Sequence, residues 1–197
     1  MIKSLPSEFD INTFPIHRDF INEFINQVSE TLLSHNSTTR WMEIGRQEQD
    51  FIKKKFSNKN ILTFDMVDKY KPDLVGDLTA KNPNVPSGSF GGIFCMEVLE
   101  HAVDPFACVE ELSRMLEDGG FLVISTPLNC RIHGPVPDCW RFTEFGLKVL
   151  FRNFNIKVFE KLDTPGRNLF PLHYALLAYK DSAKSIDSRE MKFEYID

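Results

Sequence analysis

The chain has 197 residues, of which 42% are apolar and 26% charged, the proportions of one ordinary globular domain. That size excludes a large multidomain enzyme and a disulfide-stapled mini-protein, and the composition excludes disorder and collagen-like repeats. A formal net charge of −5 argues against non-specific nucleic-acid binding, which needs a basic face, though it leaves room for a local basic patch.

Residues 1–16, broken by Pro6 and Pro15, read as an irregular lead-in without a signal peptide. From Arg18 to Ser34, Phe20, Ile21, Phe24, Ile25, Val28 and Leu32 recur at three- and four-residue steps, predicting an amphipathic helix that ends at Asn36-Ser37-Thr38. Short strands are expected at 41–44, 61–64 and 73–76, with a helix over 47–57 between the first two. Residues 79–89 read as a loop, and 92–96 as a strand covered on both faces. Asp104 and Pro105 suit the N-cap and first position of a helix that runs to Gly119-Gly120. A buried strand follows at 121–125, then a helix capped by Thr143, then strands near 155–161 and 173–179. The polar tail begins at Asp181. No window approaches 18 consecutive apolar residues, so no membrane span is expected.

Cys95, Cys108, Cys130 and Cys139 form no C-x-x-C pair and fit no zinc ribbon. A reducing, cytoplasmic setting is the expectation, with Cys95 and Cys108 as buried small apolar residues.

Alternating strands and helices give an α/β domain with a mostly parallel sheet, whose ligands bind beyond the carboxyl ends of the strands. Those ends carry Glu43-Ile44-Gly45, Asp65, Gly76-Asp77, Glu97 to His101, and Thr126-Pro127. Asp65 suits ribose hydroxyls, and Asp77 can accept from a base amine; each can equally be a strand-end or turn aspartate.

The run Ile93 to Pro105, with Met96-Glu97-Val98-Leu99-Glu100-His101, resembles the fourth-strand region of class I S-adenosylmethionine-dependent methyltransferases of the small, type-11-like group. Glu111 to Gly120 looks like that family's E-L-x-R-V-L-K-P-G-G run, and Phe121 to Pro127 like its L-L-I-S-T-P strand. His133 to Thr143 is similar to an H-G-x-P-x-D-Y-W-R-F-T segment of a bacterial and viral subset. The resemblance covers about residues 40 to 180 and is strongest from 93 to 146. It implies a Rossmann-like, seven-stranded, mostly parallel sheet with helices on both faces and an antiparallel last strand. It divides the chain into an N-terminal helical extension over 1–38 packing on the core, a methyltransferase domain over 39–180 and a polar tail over 181–197.

For S-adenosylmethionine, the resemblance places Glu43 and Gly45 in the methionine-binding loop and Asp65 on the ribose. Asp77 and the Leu78 backbone would hold the adenine, and Glu97 would begin the loop flanking the transferred methyl. The family's E-x-G-x-G-x-G loop reads Glu43-Ile44-Gly45-Arg46-Gln47-Glu48-Gln49 here, so one glycine survives. Arg46 or Gln47 can instead meet the cofactor's carboxylate, or these side chains fill the pocket.

Glu97, Glu100 and His101 have E-x-x-E-H spacing, which on a helical turn brings them to one face. Two carboxylates and an imidazole, with His133 as a fourth, are a ligand set for a divalent ion such as Mg2+ or Mn2+. The pattern looks like the metal site of small-RNA 2′-O-methyltransferases and ubiquinone-pathway O-methyltransferases. The competing reading has these side chains bonding only loop backbone. Without metal, His101 or His133 can act as general base, assisted by Glu100. His17, His35 and His173 read as structural or exposed. Asp138 and Arg141 can bond a polyhydroxylated acceptor on which Trp140 stacks, or else an ion pair ties the loop down around a buried tryptophan.

The expected activity is O-methylation of a small-molecule or glycan acceptor, a sugar hydroxyl first. The alternatives are a degenerate methyltransferase fold serving as a binding scaffold, and a metal-dependent RNA ribose methyltransferase. Oligomeric state is open.

Overall fold

The computed structural model describes residues 5–35, 40–45, 51–134 and 137–193. Its centre is one seven-stranded sheet in the order β3-β2-β1-β4-β5-β7-β6. The strands are β1 (Trp41–Ile44), β2 (Ile61–Asp65), β3 (Leu74–Val75), β4 (Phe90–Met96), β5 (Leu116–Pro127), β6 (Phe154–Asp163) and β7 (Pro171–Lys180). β1 to β5 pair in parallel, and β7 lies antiparallel to both of its neighbours, β5 and β6. This is the expected Rossmann-like sheet with its antiparallel last strand.

Helices cover both faces. α1 (Glu8–Leu33) and the short α2 (Phe51–Lys55) lie on one; α3 (Pro105–Met115) and α4 (Glu144–Leu150) lie on the other. Strand alternation decides which side chains meet which layer. Phe94 and Met96 of β4 and Phe121 and Val123 of β5 face α1, while Ile93, Cys95, Leu122 and Ile124 face α3. On the α1 face, Phe24, Ile25, Val28 and Leu32 close over an aromatic cluster. There Trp41 meets Phe121 edge-on at 4.8 Å and Phe56 at 5.3 Å between ring centres. Lys55 Nζ donates to Asn26 Oδ1 at 2.7 Å, tying α2 to α1.

α1 begins ten residues before the expected Arg18. Ser7 caps it, accepting from the Asp10 N–H while Asp10 accepts from the Ser7 N–H, a reciprocal box that starts the helix upstream. The helix runs through Pro15. Its first half exposes Phe9, Ile11, Phe14 and Ile16, so no apolar stripe announces it in the sequence. The segment 36–38, expected to end the helix, lies outside the described residues.

α3 stops at Met115, and the chain enters β5 at Leu116, earlier than Gly119-Gly120 suggests. The Phe90–Leu116 pairing captures this early segment, and the register then slips between Phe90 and Gly92. The expected caps Asp104 and Thr143 both accept backbone N–H bonds at their helix starts. No helix among the described residues is long and apolar enough to cross a membrane.

Gly92 shows how tightly the α1 face is filled. A Cβ there would sit 2.0 Å from Phe121 Cζ, in the ring of its cross-strand partner. Gly92→Ala must displace a wholly buried phenylalanine, and is expected to cost about 1–3 kcal/mol. A urea titration checks this: the midpoint falls with the slope unchanged, and an unmoved midpoint would contradict the packing described.

Candidate active site at the carboxyl ends of the strands

The turn after β1 depends on Gly45. Its φ is +68°, and a Cβ there would lie 3.0 Å from Val98 Cγ2, so only glycine lets the turn close against the segment after β4. Its N–H donates to the Phe64 carbonyl at 3.0 Å, holding it beside β2. Glu43 is buried and points to the α1 face. There it borders a cleft with Arg18, Ile21 and Asn22 of α1 and Met96 of β4. Arg46, with Gln47, lies outside the described residues.

Asp65 ends β2, and its Oδ1 accepts the Val67 N–H at 2.8 Å. Asp77 Oδ1 accepts both the N–H and the hydroxyl of Thr79, each at 2.8 Å. Both aspartates therefore shape a turn with one oxygen, and no described residue bonds their Oδ2. Leu78 is buried in the core. The loop beyond is clasped from behind: Glu111 Oε1 accepts from Asn82 N and Nδ2, and Arg114 bonds Glu111 and the carbonyls of Asn82 and Val85. The E-L-x-R pattern is this clasp.

The E-x-x-E-H set divides in the fold. After Met96, alternation would send the Glu97 side chain toward α3, but Glu97 adopts φ +56°, a left-handed conformation unusual for a non-glycine residue. Its carboxylate turns instead to the α1 face, where Oε1 accepts from Ser125 Oγ at 2.7 Å and lies 2.8 Å from His173 Nε2. Glu100 and His101 follow in a tight 3-10 turn, Leu99–His101, on the other face. The neighbours Ser125 and Thr126 point to opposite faces of β5, so Thr126 Oγ1 reaches Glu100 Oε2, at 3.4 Å. Of the four expected ligands, the structure brings three together. One ligand atom each of Glu100, His101 and His133 lie within 4.8 Å of one another, and Glu97 is outside the group.

Glu100 is fully buried, and its Oε1 has no hydrogen-bond partner. Burial, then the charge of Glu97, pushes its carboxyl well above the usual carboxylate range. The two imidazoles stand 5.1 Å apart, edge to face. His101 Nδ1 meets the Pro137 carbonyl at 3.0 Å, and His133 Nδ1 meets the Arg131 carbonyl at 3.2 Å. A carbonyl only accepts, so each Nδ1 carries the hydrogen, which leaves Nε2 as the acceptor atom of a neutral ring. His101 Nε2 lies 3.8 Å from the unpartnered Glu100 oxygen. One buried acid with an orphaned oxygen and two imidazoles, their ligand atoms within 4.8 Å of one another, fit a divalent cation, and the imidazoles favour Mn2+ over Mg2+.

Asp138 and Arg141 pair with each other. Arg141 grips Asp138 with Nη1–Oδ1 at 2.5 Å and Nη2–Oδ2 at 2.8 Å, and this grip holds the Asp138 carboxyl down to about 2. Asp138 also accepts the His133 N–H at 2.9 Å. The ion pair therefore ties down the loop that carries His133. Trp140 donates to the Ala102 carbonyl at 2.8 Å and remains partly exposed, so of these three it alone offers a face to a ligand.

His173 and His17 belong to the Glu97 side. His173 is completely buried in β7, and its Nδ1 lies 3.0 Å from Nδ1 of His17 on α1. Burial, then the neighbouring His173, lowers His17 to about 4. Both histidines lie more than 75 residues from Glu97 in the chain, so local spacing carries no trace of the contact. The signal that could have found His173 is an ionisable residue inside an otherwise apolar buried strand. His35 packs edge-on against Phe121, in a structural role.

The profile of the methyltransferase domain family matches residues 16–161. The ubiquinone biosynthesis O-methyltransferase of Xanthomonas campestris pv. campestris (strain B100) is 42% identical over 57 residues, 29% of this chain and 22% of that protein. The chain thus matches about a fifth of the length of this curated relative. Among solved structures, an S-adenosylmethionine-dependent methyltransferase from Mesorhizobium loti superposes with a TM-score of 0.59 at 16% identity, covering 79% of this chain and 97% of its own. The N-methyltransferase NodS from Bradyrhizobium japonicum WM9 gives 0.57 at 18%, covering 83% and 98%. The [4+2]-cyclase SpnF gives 0.60 at 13%, covering 81% and 80%, so the fold alone does not determine the reaction. With its profile matched from α1 into β6 and its sheet in the order described, the chain belongs to the methyltransferase domain family of class I S-adenosylmethionine-dependent methyltransferases.

Proposed function

We propose that this domain transfers the methyl group of S-adenosylmethionine to a hydroxyl oxygen, with a sugar hydroxyl of a small molecule or glycan as the leading acceptor. The observation that carries the reading is the unpartnered, buried Glu100 oxygen, 3.8 Å from His101 Nε2 and grouped with His133. The partial likeness to an O-methyltransferase supports oxygen as the receiving atom. The cofactor supplies the electrophilic methyl; the chain supplies alignment and proton removal.

Glu43, Gly45 and Arg46 would meet the methionine end of the cofactor, Asp65 the ribose, and Asp77 with the Leu78 backbone the adenine. The free Oδ2 of Asp65 suits a ribose hydroxyl. Trp140 offers an apolar face for a sugar ring at the mouth. Asp138 and Arg141 act on the acceptor through the loop they hold. Without metal, His101 Nε2 would take the hydroxyl proton as the methyl passes from the cofactor's sulfur to the acceptor oxygen. Where Glu100, His101 and His133 hold Mn2+ or Mg2+, the cation would lower the pKa of that hydroxyl.

Calorimetric titration with S-adenosylmethionine and S-adenosylhomocysteine, with and without Mn2+ or Mg2+, tests the reading. Saturable binding is expected; a folded protein that binds neither ligand would instead be a scaffold. Labelled-methyl transfer to sugars, phenols and short RNAs then sorts the acceptors, and labelling of RNA alone would favour the ribose alternative.

Asp65→Ala is expected to weaken cofactor binding about tenfold, the loss of one or two ribose hydrogen bonds. Unchanged affinity removes Asp65 from the site. His101→Ala should lower turnover at least about a hundredfold, the scale of general-base loss, with cofactor affinity within about twofold. Equal loss of both would mark a structural histidine.

Glu100 makes the apo protein sensitive to pH. Its folded-state pKa lies above the unfolded value, so the folded state binds the extra proton. Stability therefore falls as pH rises from the unfolded carboxyl range toward the folded value. Glu100→Gln removes that loss, and should melt higher than the parent at pH 7.5 without metal. Mn2+ should raise the melting temperature of the parent and leave the variant unmoved. A variant that melts lower, or responds equally to Mn2+, overturns this account.

A further inference from the structure

The chain Ser125–Glu97–His173–His17 lies outside the three-residue cation group. Its geometry is specific. Both hydrogen bonds to Glu97 fall on Oε1, and no described residue bonds Oε2. The side chain is about a quarter exposed. Burial pushes the Glu97 carboxyl up, but His173 and Ser125 outweigh it and hold the group below its ordinary range. Glu97 is thus a fixed negative charge with one oxygen spare, at the end of a central strand.

The neighbourhood of that oxygen is the cofactor side of the sheet. β4 pairs directly with β1, and Ile44 lies opposite Cys95. The Gly45 turn presses on Val98, the residue after Glu97. Glu97 faces α1, as does the cleft lined by Arg18, Asn22, Glu43 and Met96. The ligand of such a site carries one permanent cation, its sulfonium, and loses that charge when the methyl leaves.

We propose that Glu97, aimed by Ser125 and by His173 backed with His17, is the counter-charge that reads the sulfonium and so distinguishes the methyl donor from its neutral product. His173 and His17 are positioning residues. One of their two facing Nδ1 atoms carries the hydrogen and the other accepts it. The His173 ring therefore cannot turn away from Glu97 without breaking a second buried bond. Because His17 belongs to α1, the counter-charge is complete only with that helix seated on the sheet. Transfer converts sulfonium to thioether, the attraction ends, and the product is released more readily than the donor. The inference rests on the cofactor placement proposed above.

Calorimetry with S-adenosylmethionine and S-adenosylhomocysteine on the full chain tests it, with folding of each variant checked by circular dichroism. Glu97→Gln keeps shape and removes charge. It should weaken S-adenosylmethionine about tenfold, the scale of one partly screened charge pair, and leave S-adenosylhomocysteine within about twofold. His173→Phe and His17→Phe should shift the same ratio in the same direction by less. His173→Gln, which keeps an N–H toward Glu97, should restore it. A purely structural histidine would weaken both ligands together. Parallel losses, or a ratio unmoved by Glu97→Gln, overturn the proposal alone. A parent that binds neither ligand overturns it together with the cofactor placement.

Discussion

Two carboxylates three residues apart, at the mouth of a buried sheet, cannot both be ionised side by side at modest cost. The separation of Glu97 from Glu100 organises the rest of this site. A left-handed residue at the end of β4 sends one carboxylate to the α1 face, and a 3-10 turn sends the other to the α3 face. Each then meets its own hydroxyl, from Ser125 and Thr126. Their environments push them in opposite directions, Glu97 down and Glu100 up. The charged form is thus favoured on one side of the strand end and disfavoured on the other.

The loops around them are assembled as a unit. The Glu100 carbonyl accepts the N–H groups of Cys139 at 2.7 Å and Trp140 at 3.0 Å, so the segment after β4 and the loop after β5 share a backbone seam. The Asp138–Arg141 pair stiffens the second loop, and Arg141 also reaches the carbonyls of Cys130 and Arg131. His133 is therefore presented by a braced loop. On the opposite face, α1 contributes His17 while its first turns reach toward the same loop, Arg131 lying 3.9 Å from Asp10.

Much of this was legible in the residues. The apolar runs at 92–96 and 121–125 announce central strands because both of their faces are covered. Asp104-Pro105 announces α3 through cap chemistry. Glu43, Asp65, Asp77 and Glu97 could be placed at strand ends because the parallel sheet puts ligands there. Other features were hidden for identifiable reasons. The start of α1 was obscured by Pro15 and by apolar side chains left in solvent. The division of E-x-x-E-H follows from one backbone dihedral, which spacing does not encode. His17 and His173 meet Glu97 only because α1 and β7 flank the same strand end. The spacing of Asp138 and Arg141 is compatible with acceptor binding or with a loop-bracing ion pair, and the two are joined as an ion pair.

The opposed Ser125 and Thr126 also bear on how this chain can change over time. Adjacent positions of β5 serve opposite faces, so each carboxylate depends on the parity of the strand. A one-residue insertion or deletion between Phe121 and Ser125 would reverse the facing of every strand residue on one side of it, turning both hydroxyls to the wrong faces when the shift runs downstream. Point substitutions in β5 are graded events, whereas length changes there are all-or-nothing. Divergence within this strand is thus confined to side-chain identity. Length variation is left to segments such as the loop at 164–170, where the chain turns between β6 and β7 and Leu169 stands in solvent.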